Sequence, residues 1–212
     1  MRDPRLTKLA QILVQYSTNV QPGDLVRIAA PTISEPLVTE VYRAVIQAGG
    51  HPHLLMAPDE CKEIMLSQGS DEQLAYQNPL QLHEVETIDV AIGLWGQENT
   101  KALSHIDPAR QAVAGQGRKP YFDRFLQRAA DETLRWVGSQ FPCHSSAQDA
   151  EMSLSDYEDF VFKGGMLDRD DPIAAWRELS ASQQKLTDYL NGKKEIRFVT
   201  PQGTDLTLGL DI

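Results

Sequence analysis

A strand, a helix and a second strand follow one another closely near the start of this chain. Residues 25–30 (LVRIAA) form a short apolar run that suits a buried strand, and residues 53–57 (HLLMA) form another. Between them, Ser34 can cap a helix that Gly49-Gly50 ends, because glycine adopts left-handed geometry at low cost. The spacing fits a right-handed crossover between two parallel strands. The buried stripe of that helix is Leu37, Val41, Ala44, Val45 and Ala48.

The same alternation of strand and helix continues to about residue 138. Residues 88–94 (IDVAIGL) predict a third strand, and residues 134–138 (LRWVG) predict a fourth. One helix is expected to start at Asp107-Pro108, and a separate helix is expected over residues 122–133. The pattern predicts an α/β fold: a three-layer α/β/α lobe with roughly four or five mainly parallel strands.

The last third of the chain changes character. Ser153 can cap one helix, and Asp171-Pro172 begins a longer one that stops at Asn191-Gly192. Apolar residues then alternate on both sides of Pro201-Gln202-Gly203, which predicts a β-hairpin with one apolar face. We therefore expect an N-terminal α/β domain over residues 1–192, and in residues 193–212 the first hairpin of a second domain. Because Ile212 is still in phase with the strand, we expect the natural polypeptide to continue.

Charge and composition exclude several classes of protein. The net charge is -10 and no basic stripe is present, so a nucleic-acid partner is not expected. The sequence contains no run of about 18 apolar residues, so no membrane span is predicted. No signal peptide is recognisable at the start. Cys61 and Cys143 form no CxxC motif, which argues against a disulfide framework or a structural zinc site. The expected location is the cytoplasm.

Most of the residues that could carry chemistry have plainer interpretations. The histidines show no helical pair of the HExxH kind, and His51 with His53 lacks a third metal ligand. His83, Glu84 and Glu86 are expected on a solvated helix face. The motif at residues 115–117 (GQG) follows no strand directly, so it is a weak dinucleotide signal.

One loop stands out because it directly follows the third strand. Trp95, Glu98 and Asn99 lie there, and ligand crevices in open parallel sheets lie outside the carboxyl ends of the strands. These three residues are the predicted substrate-cavity residues. In the alternative interpretation, Trp95 packs and Asn99 or Thr100 caps the next helix.

Six segments follow one another over most of the chain: LAQILVQYSTNVQPGDLV, EPLVTEVYRAVIQAGGHP, ENTKALSHIDPAR, AQDAEMSLSDYEDFVF, DDPIAAWRELSASQQKLTDYL and PQGTDLTLGL. Each segment alone is explained by a cap, a turn or a core stripe, but six in this order are specific. The series resembles one enzyme family, the thermophilic metalloaminopeptidases of the aminopeptidase S and T type.

The resemblance implies a cytoplasmic homodimeric exopeptidase that acts on peptides with two divalent metal ions (zinc, cobalt, manganese or magnesium). It also implies that the metal ligands and the catalytic tyrosine belong to a C-terminal domain that begins around the hairpin at Gly203-Thr204-Asp205. No residue here matches those ligand motifs, so no catalytic or metal-binding residue is assigned.

The resemblance therefore implies an N-terminal fragment that shapes the substrate cavity, binds no metal and is inactive alone. Residues 116–119 (QGRK) are a departure from the family that would alter access to the cavity. The alternative is a complete, non-catalytic α/β module that binds a small ligand near Trp95 and Glu98.

Overall fold

The centre of the fold is a parallel sheet of four strands. A computed structural model describes residues 3–210. The strands are β1 (Leu25–Pro31), β2 (His51–Ala57), β3 (Val90–Trp95) and β4 (Arg135–Gln140). Their order is β2-β1-β3-β4, and all three neighbouring pairs are parallel. The predicted α/β class with a parallel sheet is confirmed.

Helices complete the three-layer α/β/α arrangement. The opening helix α1 runs into a π-helical turn at Ile12–Ser17. A 3₁₀ turn at Thr32–Ser34 precedes α2. The helices are α1 (Pro4–Gln11), α2 (Glu35–Gln47), α3 (Asp59–Gln68), α4 (Asp71–Leu74), α5 (Pro79–Thr87), α6 (Pro108–Ala130), α7 (His144–Asp149), α8 (Leu154–Gly164) and α9 (Pro172–Leu190).

The core contains the pairing of β1 with β3, and α2 packs against β1 and β2. Val26 pairs with Val90 and Ile28 with Ile92 across the two strands, and all four are fully buried. Burying each such side chain contributes about 1.5–3 kcal/mol. The predicted stripe on α2 faces this layer, and its most deeply buried members are Leu37, Val41 and Val45.

The chain divides into two compact units between Asp168 and Arg169. The second unit contains α9 and an antiparallel hairpin of β5 (Glu195–Val199) and β6 (Asp205–Gly209). The hairpin is confirmed, whereas the part of its predicted pattern at Ile212 lies outside the described residues. The domain boundary expected after residue 192 stays a prediction, because the division describes packing and not independent folding.

Helix caps at three predicted positions are confirmed, and one is not. The Asp107 carboxylate accepts from Ala109 N at 2.8 Å, and that of Asp171 accepts from Ala174 N at 2.9 Å. Ser153 Oγ accepts from Asp156 N at 3.2 Å. Ser34 precedes α2 as expected, but its Oγ is buried and has no hydrogen-bond partner among the described residues.

The two helices expected between residues 107 and 133 form one helix, α6. Pro120 lies inside it, and a proline there removes one backbone hydrogen bond and crowds the preceding turn. The helix nevertheless continues across Pro120, and its two halves pack against α4 and α5. The GQG motif lies within this helix, so the dinucleotide-loop interpretation is wrong.

Gly117 allows α6 to pack closely against the end of α4. A Cβ atom at this position would lie 2.8 Å from both the Leu74 carbonyl oxygen and the Ala75 carbonyl carbon. Backbone atoms cannot yield as a flexible side chain can. Gly115, two residues earlier on the same helix, has nothing within 4 Å of an added Cβ.

Arg128 ties the end of α6 to the start of β4. It is only 9% exposed, and its guanidinium donates to the carbonyls of Val85 (2.8 Å), Ile88 (2.9 Å) and Thr133 (2.7 Å). These carbonyls come from the end of α5 and from the connections into β3 and β4. One buried cation therefore fixes three chain segments relative to each other.

We predict that Gly117→Ala destabilises the chain although alanine is the better helix former. The clash with the α4 backbone should cost about 1–3 kcal/mol of unfolding free energy in urea denaturation. Gly115→Ala is the matched control, and it should stabilise by up to about 1 kcal/mol because its site is open. Equal effects of the two substitutions would contradict a close crossing at Gly117.

We also predict a large effect of Arg128→Met. The methionine keeps most of the volume but leaves the carbonyls of two buried residues, Val85 and Ile88, without this donor, which should cost about 3 kcal/mol or more. Arg124→Met, one turn earlier, removes an exposed ion pair with Glu86 and should change the urea midpoint little. A small loss from Arg128→Met would show that the carbonyls find other partners.

Candidate functional site

A crevice lies at the edge of the sheet where the four parallel strands end. The chain leaves the sheet in different directions after β1 and β3, which are neighbours in the sheet although they are not consecutive in sequence. Such a switch point opens a crevice at the carboxyl edge. Its volume is about 610 Å³. It is lined by Ala30, Pro31, Ala57, Pro58, Asp59, Lys62, Leu94, Trp95, Gly96, Gln97, Gln140 and Ser146.

Trp95 is the predicted residue that lines this crevice. It is the last residue of β3, and its side chain is 60% exposed. The indole lies over Gly138 of β4, where an added Cβ would be 2.4 Å from the ring. The absence of a side chain at Gly138 therefore permits this orientation of Trp95. Trp95 therefore packs against the sheet, as in the alternative interpretation, and also lines the crevice, as in the site interpretation.

The loop that follows β3 is fastened from several sides. The Gln97 carbonyl accepts from Cys143 Sγ at 3.2 Å and also from Ser145 Oγ. The backbone N–H of Glu98 donates to Asp59 Oδ2 at 3.3 Å, which joins the loop to the start of α3. These bonds keep the loop at the rim of the crevice.

Glu98 and Asn99 lie on this loop but do not line the crevice. The Asn99 side-chain oxygen accepts from Lys101 N at 2.9 Å and closes a local turn, whereas the next helix, α6, begins at Pro108 and is capped by Asp107. Glu98 is exposed. The substrate contacts of Trp95, Glu98 and Asn99 stay predictions.

The crevice combines charged, amide and aromatic groups. Lys62 and Asp59 lie on α3 at one wall, and Gln97 and Gln140 supply amides. Gln140 Nε2 donates to Tyr157 Oη at 2.9 Å and to Ser146 Oγ at 3.3 Å, which holds its amide in place. This set of groups suits hydrogen bonding to a peptide backbone or a similar polar ligand.

Two ionisable groups behind the rim have shifted pKa values. A hydrogen bond from Thr100, supported by Lys101, lowers the pKa of the Asp149 carboxyl. Burial acts to raise the pKa of the Cys143 thiol, but hydrogen bonds with Ser145 and Ser146 outweigh it and lower that pKa overall. Both groups stabilise the loop rather than line the crevice, since neither belongs to its wall.

Three residues that line the crevice were not predicted from the sequence: Asp59, Lys62 and Gln140. Asp59 is two residues past the end of β2, and Gln140 is the last residue of β4. Their position at the carboxyl ends of strands was a usable signal, because the rule that selected Trp95 applies equally to every strand of a parallel sheet. Lys62 follows one helical turn after Asp59.

The expectation of a solvated face around Glu84 is wrong. Its side chain is only 11% exposed, and it pairs with Arg27 Nε at 2.9 Å and His53 Nε2 at 3.3 Å. Both partners come from neighbouring strands. Glu86, in contrast, pairs with Arg124 at an exposed position.

Within residues 3–210, no group of three or more His, Cys, Asp or Glu side chains is placed to hold a metal ion. The crevice residues therefore do not fit a dinuclear metal site. Over the same part of the chain, no helix is long and apolar enough to cross a bilayer.

Curated relatives of the chain are aminopeptidases. Aminopeptidase 2 of Geobacillus stearothermophilus is 25% identical over 202 residues, which are 91% of this chain and 49% of that protein. Aminopeptidase T of Thermus thermophilus is 22% identical over 218 residues, which cover 97% of this chain and 53% of that protein. The chain thus spans about half the length of the curated relatives it matches.

The fold has a solved counterpart. Wild-type AmpT from Thermus thermophilus matches with a TM-score of 0.79 at 20% identity, over 98% of this chain and 53% of that chain. The sequence model of the family described as thermophilic metalloprotease (M29) matches residues 2–211. The chain therefore belongs to the thermophilic metalloprotease family M29.

Proposed function

We propose that this chain is the N-terminal portion of a dinuclear-metal aminopeptidase that removes N-terminal residues from peptides. The observation that carries the proposal is the family match over residues 2–211, in a chain that spans about half of its aminopeptidase relatives. In this proposal the catalytic metal pair (zinc, cobalt, manganese or magnesium) is held by residues outside 3–210, and the described residues carry no step of bond cleavage.

The role proposed for this chain is to form one wall of the substrate cavity. The crevice supports that role because it offers groups that a peptide can use. The amides of Gln97 and Gln140 can hydrogen-bond to peptide N–H and C=O groups, and the exposed indole of Trp95 can pack against an apolar side chain. Lys62 can hold a peptide carbonyl or carboxylate. Glu98 and Asn99 are proposed to approach the substrate from the rim.

A homodimer and a cytoplasmic location complete the proposal. Their support is the resemblance of the chain to the aminopeptidase S and T type of enzyme. The absence of a bilayer-spanning helix among residues 3–210 agrees with this location but does not select it.

We predict that the 212-residue chain alone does not hydrolyse aminoacyl-arylamides, even with added zinc, cobalt or manganese. The physical reason is that its described residues provide no set of metal ligands. Release of the arylamine is followed by absorbance, with aminopeptidase T of Thermus thermophilus assayed in parallel to confirm that the substrates and metals are suitable. Metal-dependent turnover by the chain alone would place the catalytic site within it and overturn the proposal.

Equilibrium dialysis provides a second readout of the same prediction. The chain should retain far fewer than two equivalents of tightly bound zinc, whereas a complete dinuclear site retains two.

The alternative of a complete small-ligand module is decided by the source gene. A stop codon directly after codon 212 would favour that module, and a downstream segment rich in spaced histidines and glutamates would favour the peptidase.

A further inference from the structure

A second concave region, distinct from the crevice, lies where α6 crosses the face of the sheet. We call it the aromatic groove, and its volume is about 350 Å³. It is defined by Trp95, Tyr121, Phe122, Phe125 and Trp136, which come from β3, β4 and α6. Trp95 forms part of both this groove and the crevice.

The aromatic residues of the groove are unusually exposed for their size. Trp95 is 60% exposed, Trp136 is 52% exposed and Phe122 is 46% exposed. Leu126, which also lines the groove, is 61% exposed. A contiguous apolar surface of this kind is typical of a binding site, since isolated exposed apolar residues are normal but clusters are not.

The rings are held in place from behind. Phe125 packs edge-on against Trp136 with 5.9 Å between ring centroids, and Tyr121 packs edge-on against Phe122 at 5.5 Å. The floor between them is formed in part by Gly93, where the nearest atom to an added Cβ would be 3.8 Å away. The groove is therefore preformed and has space above Gly93.

The two arginines at the groove differ in whether a carboxylate pairs with them. Arg27 is compensated, because Glu84 lies 2.9 Å from its Nε. The guanidinium of Arg118 lies 5.1 Å from the centroid of Phe122 and forms no ion pair with any carboxylate among residues 3–210. Arg118 thus presents an exposed positive charge beside aromatic walls. An adjoining cavity of about 400 Å³ shares Arg27, Arg118 and Tyr121 with the groove.

We propose that the aromatic groove binds the carboxyl-terminal residue of a peptide, with an aromatic or large apolar side chain against the rings and its free carboxylate on Arg118. Charge complementarity favours this occupant, because the Arg118 guanidinium has no carboxylate partner among residues 3–210 and the rings offer an apolar surface beside it. A nucleic acid fits poorly, because the single guanidinium of Arg118 at the groove, on a chain of net charge -10, cannot neutralise a phosphate backbone.

The test uses N-acetyl-L-phenylalanine as a probe for such a residue. Trp95 and Trp136 lie in the groove and the remaining tryptophan, Trp176, lies on α9, so fluorescence of the Trp176→Phe variant comes from the two groove tryptophans, of which Trp95 also borders the crevice. Titration calorimetry of the unmodified chain measures the same binding, so the result does not depend on that variant. We expect saturable binding with a Kd on the order of 1 mM for a ligand of this size.

Two control ligands separate the contributions of the carboxylate and the ring. N-acetyl-L-phenylalanine amide lacks the charge, and N-acetylglycine lacks the side chain. Each should bind at least about tenfold more weakly than the probe. Equal binding of the amide would overturn the role of Arg118, and equal binding of acetylglycine would overturn the role of the rings. Absence of probe binding would overturn the proposal as a whole.

Matched variants locate the anion site. Arg118→Gln should weaken binding of the probe about tenfold or more and should leave the weak binding of the amide unchanged. Lys119→Gln is the control, since it removes the same charge from the neighbouring, exposed residue, which pairs with Asp123. An equal loss of probe affinity in both variants would indicate a general electrostatic attraction between the probe and this helix, and would contradict a specific anion site at Arg118. This binding test is independent of the aminopeptidase activity proposed above.

Discussion

The parallel pairing of β1 with β3 is the constraint on which the rest of this structure depends. Val26 and Ile28 meet Val90 and Ile92 in a layer that excludes water, and a shift of one residue would turn these side chains to the other face. Because the register is fixed, both strands end at the same edge of the sheet. The crevice exists at that edge because the two strands are neighbours without being consecutive.

Two close contacts near the proposed binding sites are possible only because one of the contacting residues is glycine. Gly138 leaves space for the Trp95 indole on β4, and Gly117 lets α6 approach the end of α4. The first contact sets a wall of both the crevice and the aromatic groove. The second helps to position the helix that carries Tyr121 and Phe122. Binding geometry therefore depends on backbone positions that contribute no functional group of their own.

Local signals in the sequence were sufficient for the strands and for most helix caps. Asp107, Ser153 and Asp171 act as caps because each satisfies backbone donors within three residues of itself. The continuity of α6 through Pro120 was not predictable in this way, since it accompanies packing against α4 and α5. The buried pairing of Glu84 was missed for the same reason: Arg27 lies far away in sequence and approaches only through the sheet.

The candidate site was predictable only in part, and the limit is physical. The carboxyl-end rule located Trp95, but only the fold shows which side chains beyond the strand ends face the crevice. Asn99 closes its own turn, whereas Gln140 is held by Tyr157 in the crevice wall. Since Trp95 borders two cavities, any ligand that moves its indole changes both. The proposed peptide wall and the aromatic groove thus share one side chain, whose position over β4 is possible because residue 138 is glycine.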